Sequence, residues 1–367
     1  MARFHVDPDI SLAKTISKDV YLDAGVYQES REKIFARCWQ FLTDASVVEE
    51  KGQTHPLILL QGYLNEPLLL SKDEQGIVHV MSNVCTHRGN LLIETPCKSN
   101  NLRCRYHGRL FHLDGRFKSM PEFTEVKDFP TKDDDLRSLG QLQWGNLLFT
   151  SLENELHHQL FFKEMQERMA FLPLKEFKPR PDLSRTFTVK SNWALYCENY
   201  LEGFHIPFVH AGLNAVIDFG KYTTQLFRYS NVQIGIAKGD EQIFDLPKDS
   251  PEFGKRVAAY YFWVFPNMMF NFYPWGLSLN IVEPVGLDRT IVRFLTYVWK
   301  EDLFNLGAGS NLDVVELEDE EIVEAVQTGI RSRYYKHGRY SVNREQGTHH
   351  FHRLLAEFLD GRPGTHA

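Results

Sequence analysis

Two short segments, Cys85-Thr86-His87 and Cys104-Arg105-Tyr106-His107, constrain this chain more than anything else in it. Each sets one thiol and one imidazole a residue or two apart, and sixteen residues separate the pairs. Two such turns facing each other supply four ligands to one centre. A Cys₂His₂ set holds either a tetrahedral zinc or a [2Fe–2S] cluster with both sulfurs on one iron and both nitrogens on the other. Zinc fingers group their cysteines together and their histidines together. Here each turn carries one of each, which favours the cluster. Arg88-Gly89 and Gly108 follow the two pairs, and glycine lets the backbone turn tightly there.

The rest of the chain is ordinary for a soluble fold. It has 367 residues, enough for two domains with sizeable cores. Five cysteines, an odd number with no secretion signal ahead of them, argue against a disulfide framework. A net charge of −7 disfavours nucleic acid as a partner. No apolar run approaches a membrane span, and the first residues turn acidic without an apolar stretch, so a cytoplasmic home is expected.

Texture changes along the chain. Tyr21 to Trp39 reads as a helix, with Ile34, Phe35 and Cys38 at helical spacing. From Leu57 to about Phe149, short apolar runs such as Leu68-Leu69-Leu70 alternate with turn signals such as Asp114-Gly115, which predicts a small antiparallel β domain. Two stretches, Leu152 to His158 and Lys175 to Asp182, read as the crossing between domains. A helix from Asn192 to about Val209 comes next. Strands at Val257–Val264, Met268–Tyr273, Leu277–Val282 and Thr290–Val298 follow, then helices over Leu312 to Tyr335 and Gly347 to Leu359. The expectation is an α+β chain: a small β domain, then a larger domain with an antiparallel sheet.

A second constellation lies in the run from Asn192 to His210. Glu202 and His205 are three apart and share a helix face. His205 and His210 are five apart, about 140° around a straight helix, so they meet at one metal only if the helix breaks. Pro207 lies between them as the expected breaker. A carboxylate would complete a 2-His-1-carboxylate site with open positions, as in non-haem Fe(II) oxygenases. The long acidic helix offers Asp313, Glu316, Glu318, Asp319, Glu320, Glu321 and Glu324. Asp319 falls in phase with an apolar stripe of Ile322, Val323, Val326 and Ile330. Glu316 and Glu318 lie at its margins, and Glu321 and Glu324 point away. An acid aimed at a core is costly unless something pairs with it, and a metal would.

Cys85-Thr86-His87-Arg88-Gly89 with Cys104-Arg105-Tyr106-His107-Gly108 resembles the Rieske domain of oxygenase α subunits, and with Glu198 to His210 the chain is similar to Rieske non-haem iron oxygenases over nearly its whole length. That family usually has Trp after the second His-Gly pair, where Arg109 stands here; this departure bears on donor docking or on the subunit contact. The resemblance implies an N-terminal helical segment (1–40), a Rieske [2Fe-2S] β domain (41–155) and a helix-grip catalytic domain (156–367). It carries Cys85, His87, Cys104 and His107 over as cluster ligands, and His205, His210 and Asp319 as ligands of a mononuclear Fe(2+). Glu202 matches the carboxylate that bridges the two centres between subunits of a head-to-tail homotrimer.

The same resemblance implies O2 as co-substrate and a separate flavin/iron-sulfur reductase. No G-x-G-x-x-G sits between a strand and a helix, so NAD(P)H is expected to act only through that partner. Glutamate at position 202, the compact chain, and the runs Trp263 to Met269, Tyr273 to Asn280 and Val326 to Ile330 resemble the carnitine and choline monooxygenase branch. A quaternary ammonium would be held by aromatic faces, for which Tyr200, Phe204, Phe208, Trp263, Phe265, Tyr273 and Trp275 are candidates. Two other readings stand beside this one: an oxygenase hydroxylating or O-demethylating an aromatic substrate, and a Rieske electron carrier with no iron at His205, His210 and Asp319. His349, His350 and His352 read as helix surface and packing rather than as a metal site.

Overall fold

Turn residues cut the segment between Trp39 and Glu155 into strands too short to bury much individually, so they stack as three small antiparallel sheets. The computed structural model describes residues 3–304, 306–310, 312–361 and 363, and the chain divides into two units, Trp39–Glu155 and Met1–Cys38 with Leu156–Ala367. The first unit contains β1 (Gln40–Asp44), β2 (Gln53–Leu59), β3 (Glu66–Lys72), β4 (Val78–Ser82), β5 (Cys97–Lys98), β6 (Leu102–Arg103), β7 (Leu110–Phe111), β8 (Phe117–Ser119), β9 (Gly140–Trp144) and β10 (Leu147–Ser151). Its sheets run β1-β10-β9, β4-β3-β2-β5 and β6-β7-β8. Leu69, Met81, Leu102, Phe111 and Leu113 form a core that also takes in Cys85 and Cys104. The two cysteines thus stand on packed hydrocarbon, which fixes the loops that carry them.

The second unit is a sheet with helices on it. Its helices are α1 (Asp19–Leu22), α2 (Ala24–Ser30), α3 (Gln159–Arg168), α4 (Trp193–Tyr200), α5 (Ile206–Val209), α6 (Ala211–Val216), α7 (Leu312–Gly329) and α8 (Gln346–Leu359). The strands are β11 (Lys178–Pro179), β12 (Arg185–Val189), β13 (Thr223–Leu226), β14 (Ser230–Ile236), β15 (Val257–Val264), β16 (Met268–Tyr273), β17 (Gly276–Gly286) and β18 (Arg289–Val298). They form one eight-stranded antiparallel sheet in the order β11-β18-β17-β16-β15-β14-β13, with β12 also paired to β18. Every residue of β14, β15 and β16 is buried. Strands β15 and β16 read as nearly continuous apolar runs rather than alternating ones because both faces are covered. Helix α4 packs on β17, α3 on β14 and β15, and α8 on β13. The fold class is α+β as expected, and no helix among the described residues is long and apolar enough to cross a membrane.

Four expectations about elements need correcting. The Tyr21–Trp39 helix is broken. Asp23 adopts an extended conformation after α1 and caps α2 by accepting from the Val26 N–H, and a short π-helical turn, Arg31–Phe35, ends the segment. Lys175 to Asp182 is no crossing, since Lys178–Pro179 pairs with β18 inside the second unit. The long acidic helix stops at Gly329, six residues short of Tyr335. The helix from Asn192 to Val209 stops at Tyr200 and restarts at Ile206. The break precedes Pro207, which sits in the first turn of α5, where its missing N–H costs nothing.

Asn192 ties these parts together. Its side-chain oxygen accepts from Ala194 N (3.0 Å), which caps α4. Its Nδ2 donates to Leu287 O (2.9 Å), and its backbone N–H donates to Gln327 Oε1 on α7 (2.7 Å). The residue is fully buried. Asn192→Ala leaves the Leu287 carbonyl and the first turn of α4 without these partners. It is expected to cost about 2 kcal/mol of unfolding free energy, read as a lowered Tm or denaturant midpoint.

Candidate metal centres and the cavity beside them

The two cysteine turns are built alike. Cys85 O accepts from Gly89 N (3.0 Å), and Cys85 N donates to Asn90 O (2.9 Å). Cys104 O accepts from Gly108 N (2.9 Å), and Cys104 N donates to Arg109 O (2.8 Å). Both glycines have positive φ, 71° and 75°, which closes each turn around its ligand residues. The two cysteines are buried, and their side chains lie within hydrogen-bonding reach of each other. The rings of His87 and His107, partly exposed, lie 4.8 Å apart between centroids. The sulfurs therefore face inward and the imidazoles outward. His87 is held below the usual histidine value by burial, with repulsion from His107, Arg109 and Arg88 added, which keeps its ring in the neutral, ligating form. His107 Nδ1 is buried with no hydrogen-bond partner. Two inward thiols and an orphaned imidazole nitrogen fit a cluster ligated by two Cys and two His.

Arg109 belongs to the interior of this unit rather than to a docking surface. Its side chain is 2 % exposed, and its guanidinium lies over the rings of Phe111, Phe117 and Phe129 at 5.6, 4.8 and 5.5 Å. Its Nη2 donates to Asp134 Oδ1 (2.6 Å) and Asp134 O (3.1 Å). The Thr86 hydroxyl donates to the same Asp134 carbonyl at 2.8 Å. Arg109 and Thr86 thus fasten both cysteine turns to one loop.

In the second unit, three donor atoms converge. His205 Nε2 and His210 Nε2 are 3.1 Å apart, and Asp319 Oδ1 lies 3.0 Å from the second and 3.6 Å from the first. The other nitrogen of each ring faces a carboxylate: His205 Nδ1 to Glu202 Oε1 and His210 Nδ1 to Glu318 Oε2, both at 2.7 Å. A neutral ring that donates from Nδ1 to its carboxylate turns its Nε2 lone pair toward the other ring, the form that ligates a metal. Two lone pairs at that distance repel unless a cation sits between them. Burial opposes charge on His210, but Asp319 and Glu318 outweigh it and hold the group above the usual histidine value. The set therefore draws positive charge, which is what a divalent iron supplies. Glu202 Oε2 also accepts from the backbone N–H groups of Phe204 and His205, which pins the turn between α4 and α5. Asn199 Nδ2 donates to Asp319 Oδ1 at 2.6 Å and orients the acid.

The phase of α7 differs from the apolar-stripe reading. Ile322 and Val326 are 38 % and 42 % exposed, while Glu316, Val323 and Gln327 are buried. The inward face is largely polar because it meets Tyr196, Asn199 and Asn192 of the α4 region. Asp319 is inward on either reading. Glu316, expected at the margin, is buried, and Glu318 reaches His210. In the sequence, Glu318 stands only as one of the acids at the margin of the stripe.

A cavity of about 770 Å³, counting its open mouth, adjoins the three donors. Tyr196, Tyr200, Tyr222, Tyr261, Tyr273 and Glu316 are among its lining residues. Burial pushes the phenols of Tyr200, Tyr222 and Tyr273 well above their usual value, so these rings stay neutral. Of the seven aromatic candidates, Tyr200 and Tyr273 reach the cavity. Trp263, Phe265 and Trp275 are fully buried in the core, and Phe204 and Phe208 are 41 % and 80 % exposed. His349 and His352 pack inside the unit: His349 Nε2 bonds Asp7 O, and His352 contacts the hydroxyls of Tyr21 and Tyr340.

Comparisons with known proteins give the family. The family model for the ring-hydroxylating alpha subunit (catalytic domain) matches residues 174–361, and that for the Rieske [2Fe-2S] domain matches residues 38–130. Chloroplastic choline monooxygenase of Beta vulgaris is 29% identical over 96% of this chain and 79% of its own length. The carnitine monooxygenase oxygenase subunit of Escherichia coli is 26% identical over 94% of each. A solved quaternary ammonium Rieske monooxygenase superposes with a TM-score of 0.74 at 22% identity, covering 96% of this chain and 100% of its own. Naphthalene 1,2-dioxygenase from Rhodococcus sp. gives 0.69 at 16% identity, covering 94% of each.

Two substitutions probe these sites. Glu318→Ala frees His210 Nδ1 and is expected to weaken Fe(II) binding by roughly 10–100-fold in a chelator competition, with Glu321→Ala as an exposed control. Arg109→Ala strands Asp134 and empties the phenylalanine cage. It is expected to cost the first unit about 2–3 kcal/mol, read as loss of its visible absorbance at a lower temperature.

Proposed function

Because the chain belongs to the family of ring-hydroxylating α subunits, joined here to a Rieske [2Fe-2S] domain, we propose that it is the oxygenase component of a system that hydroxylates or oxidatively cleaves a small quaternary-ammonium compound. It is an O2-dependent oxidoreductase with a Rieske cluster and a mononuclear iron. In this reading Cys85, His87, Cys104 and His107 hold the cluster, and His205, His210 and Asp319 hold the iron. When bound, the cluster would supply single electrons and the ferrous iron would activate O2.

The chain's own residues prepare that chemistry. Glu202 and Glu318 keep both imidazoles in the tautomer that ligates through Nε2. Asn199 keeps Asp319 turned toward them. Glu202 is also the contact through which a neighbouring copy's cluster domain addresses His205, in a head-to-tail homotrimer fed by a separate reductase. The cavity's tyrosines exclude water and offer neutral ring faces, each worth about 0.5–2 kcal/mol to a cation. That aromatic cavity, beside three convergent metal donors, is the observation that carries the reading. The choline- and carnitine-oxidising relatives support it.

A single turnover tests it. The protein, purified anaerobically and chemically reduced, is given oxygen with choline, carnitine, glycine betaine, stachydrine or benzoate. An aldehyde or demethylated amine near one equivalent per site is expected from one of the amines. Benzoate hydroxylation without any amine product would move the protein to the aromatic branch. His205→Ala is expected to lose the mononuclear iron and turnover while keeping the cluster spectrum. An unchanged iron content in that variant would remove His205 from the ligand set.

A further inference from the structure

The cavity's charges are unevenly committed. Glu202 and Asp319 face His205 and His210. Glu316 does not. Its Oε2 accepts from the Tyr196 hydroxyl at 2.5 Å, its Oε1 is buried with no hydrogen-bond partner, and the residue is among those lining the cavity. The side chain is 2 % exposed. An unpartnered buried carboxylate oxygen is among the more costly groups a fold can retain, so one that lines a cavity marks where a ligand's polar group belongs. Among the described residues lining the cavity there is no lysine or arginine, and its two histidines are those facing Asp319.

We propose that Glu316 is the anionic partner of the substrate's ammonium group, and that the cavity accepts cations with an uncharged hydroxyl tail while rejecting zwitterions whose second charge is a carboxylate. This rests on the quaternary-ammonium reading and narrows it. A cation balances the one acid that nothing else in the cavity balances. A zwitterion brings its own carboxylate beside Glu316, with no lysine or arginine among the described lining residues to receive it. The tyrosines complete the subsite. Tyr200 commits its hydroxyl to Phe262 O and Asn271 Oδ1, and Tyr222 points its own at Gln233 Oε1, which leaves ring faces for the methyl groups. Burial, with Asp319 and Glu320 adding to it and Tyr196 opposing, pushes the Glu316 carboxyl well above the usual range, and an entering cation reverses that penalty.

Calorimetric titration of the iron-loaded, cluster-replete protein under anaerobic conditions tests this without turnover. The ligands are choline, its uncharged isostere 3,3-dimethylbutan-1-ol, glycine betaine and carnitine. Choline is expected to bind at least ~10-fold more tightly than each of the other three. Glu316→Gln keeps an acceptor for Tyr196 and is expected to weaken choline by roughly 10-fold while leaving the isostere within about 2-fold. Betaine or carnitine binding as tightly as choline overturns the proposal, because Glu316 would then be acting as a neutral donor to a carboxylate. Equal weakening of choline and isostere by Glu316→Gln overturns it too, by showing a purely structural role. If no ammonium compound binds at all, the quaternary-ammonium reading fails, a result distinct from zwitterions binding well. The wild-type comparison stands even where the variant folds poorly.

Discussion

Helix α7 turns acids rather than hydrocarbon toward the sheet, and each inward carboxylate must find something to offset its lost hydration. Much of the second unit is organised around that requirement. Tyr196 meets Glu316, Asn199 meets Asp319, and Glu318 meets His210. All three partners lie on α4 or just beyond it, so the short chain from Trp193 to His210 does most of the neutralising. Two facing imidazole nitrogens and Asp319 Oδ1, which accepts from Asn199 as well, then leave a deficit of positive charge localised to one point. Packing alone does not produce such a point. It follows from two elements, fastened together at Asn192 and Gln327, that bring more acid than base into one interior.

Legibility from sequence tracked how local each feature is. The cysteine turns were readable because a ligand pair, its glycine and its closing hydrogen bonds all fall within six consecutive residues. Asp319 was readable through helical phase, although only Val323 and Ile330 of the four neighbours that seemed to define its face are buried. Ile322 and Val326 lie outward, and the true inward face carries Glu316 and Gln327. An apolar-stripe argument assumes a hydrocarbon partner, and here the partner is the polar side of α4. The partners of His210 and of Glu316 depend on residues more than a hundred positions apart, which no spacing rule reports.

The bend that brings His205 to His210 shows the same limit. Proline marks a place where a helix does not continue, and Pro207 was the natural suspect. Instead the chain turns between Tyr200 and Ile206, held by Glu202 accepting two backbone N–H groups, and Pro207 opens the next short helix. Glutamate therefore serves two purposes at one position: it shapes the turn and it sets the tautomer of the histidine that the turn presents. Arg109 is a comparable case in the first unit. A charged residue after a ligand motif suggests a surface contact, yet this one is enclosed by three phenylalanine rings and paired with Asp134.

The twin closure of the cysteine turns has a consequence for how this unit can diverge. Each turn completes its own two hydrogen bonds without borrowing from the other. Ligand geometry is thus decoupled from the path that the chain takes between the two halves. Between the turns, the exposed stretch from Glu94 to Pro96 is free to lengthen or change composition, because loop closure over extra residues adds only fractions of a kcal/mol. Insertions there would be absorbed as surface excursions. A single-residue deletion inside either turn would not be absorbed, since it removes a bond that nothing else in the molecule replaces.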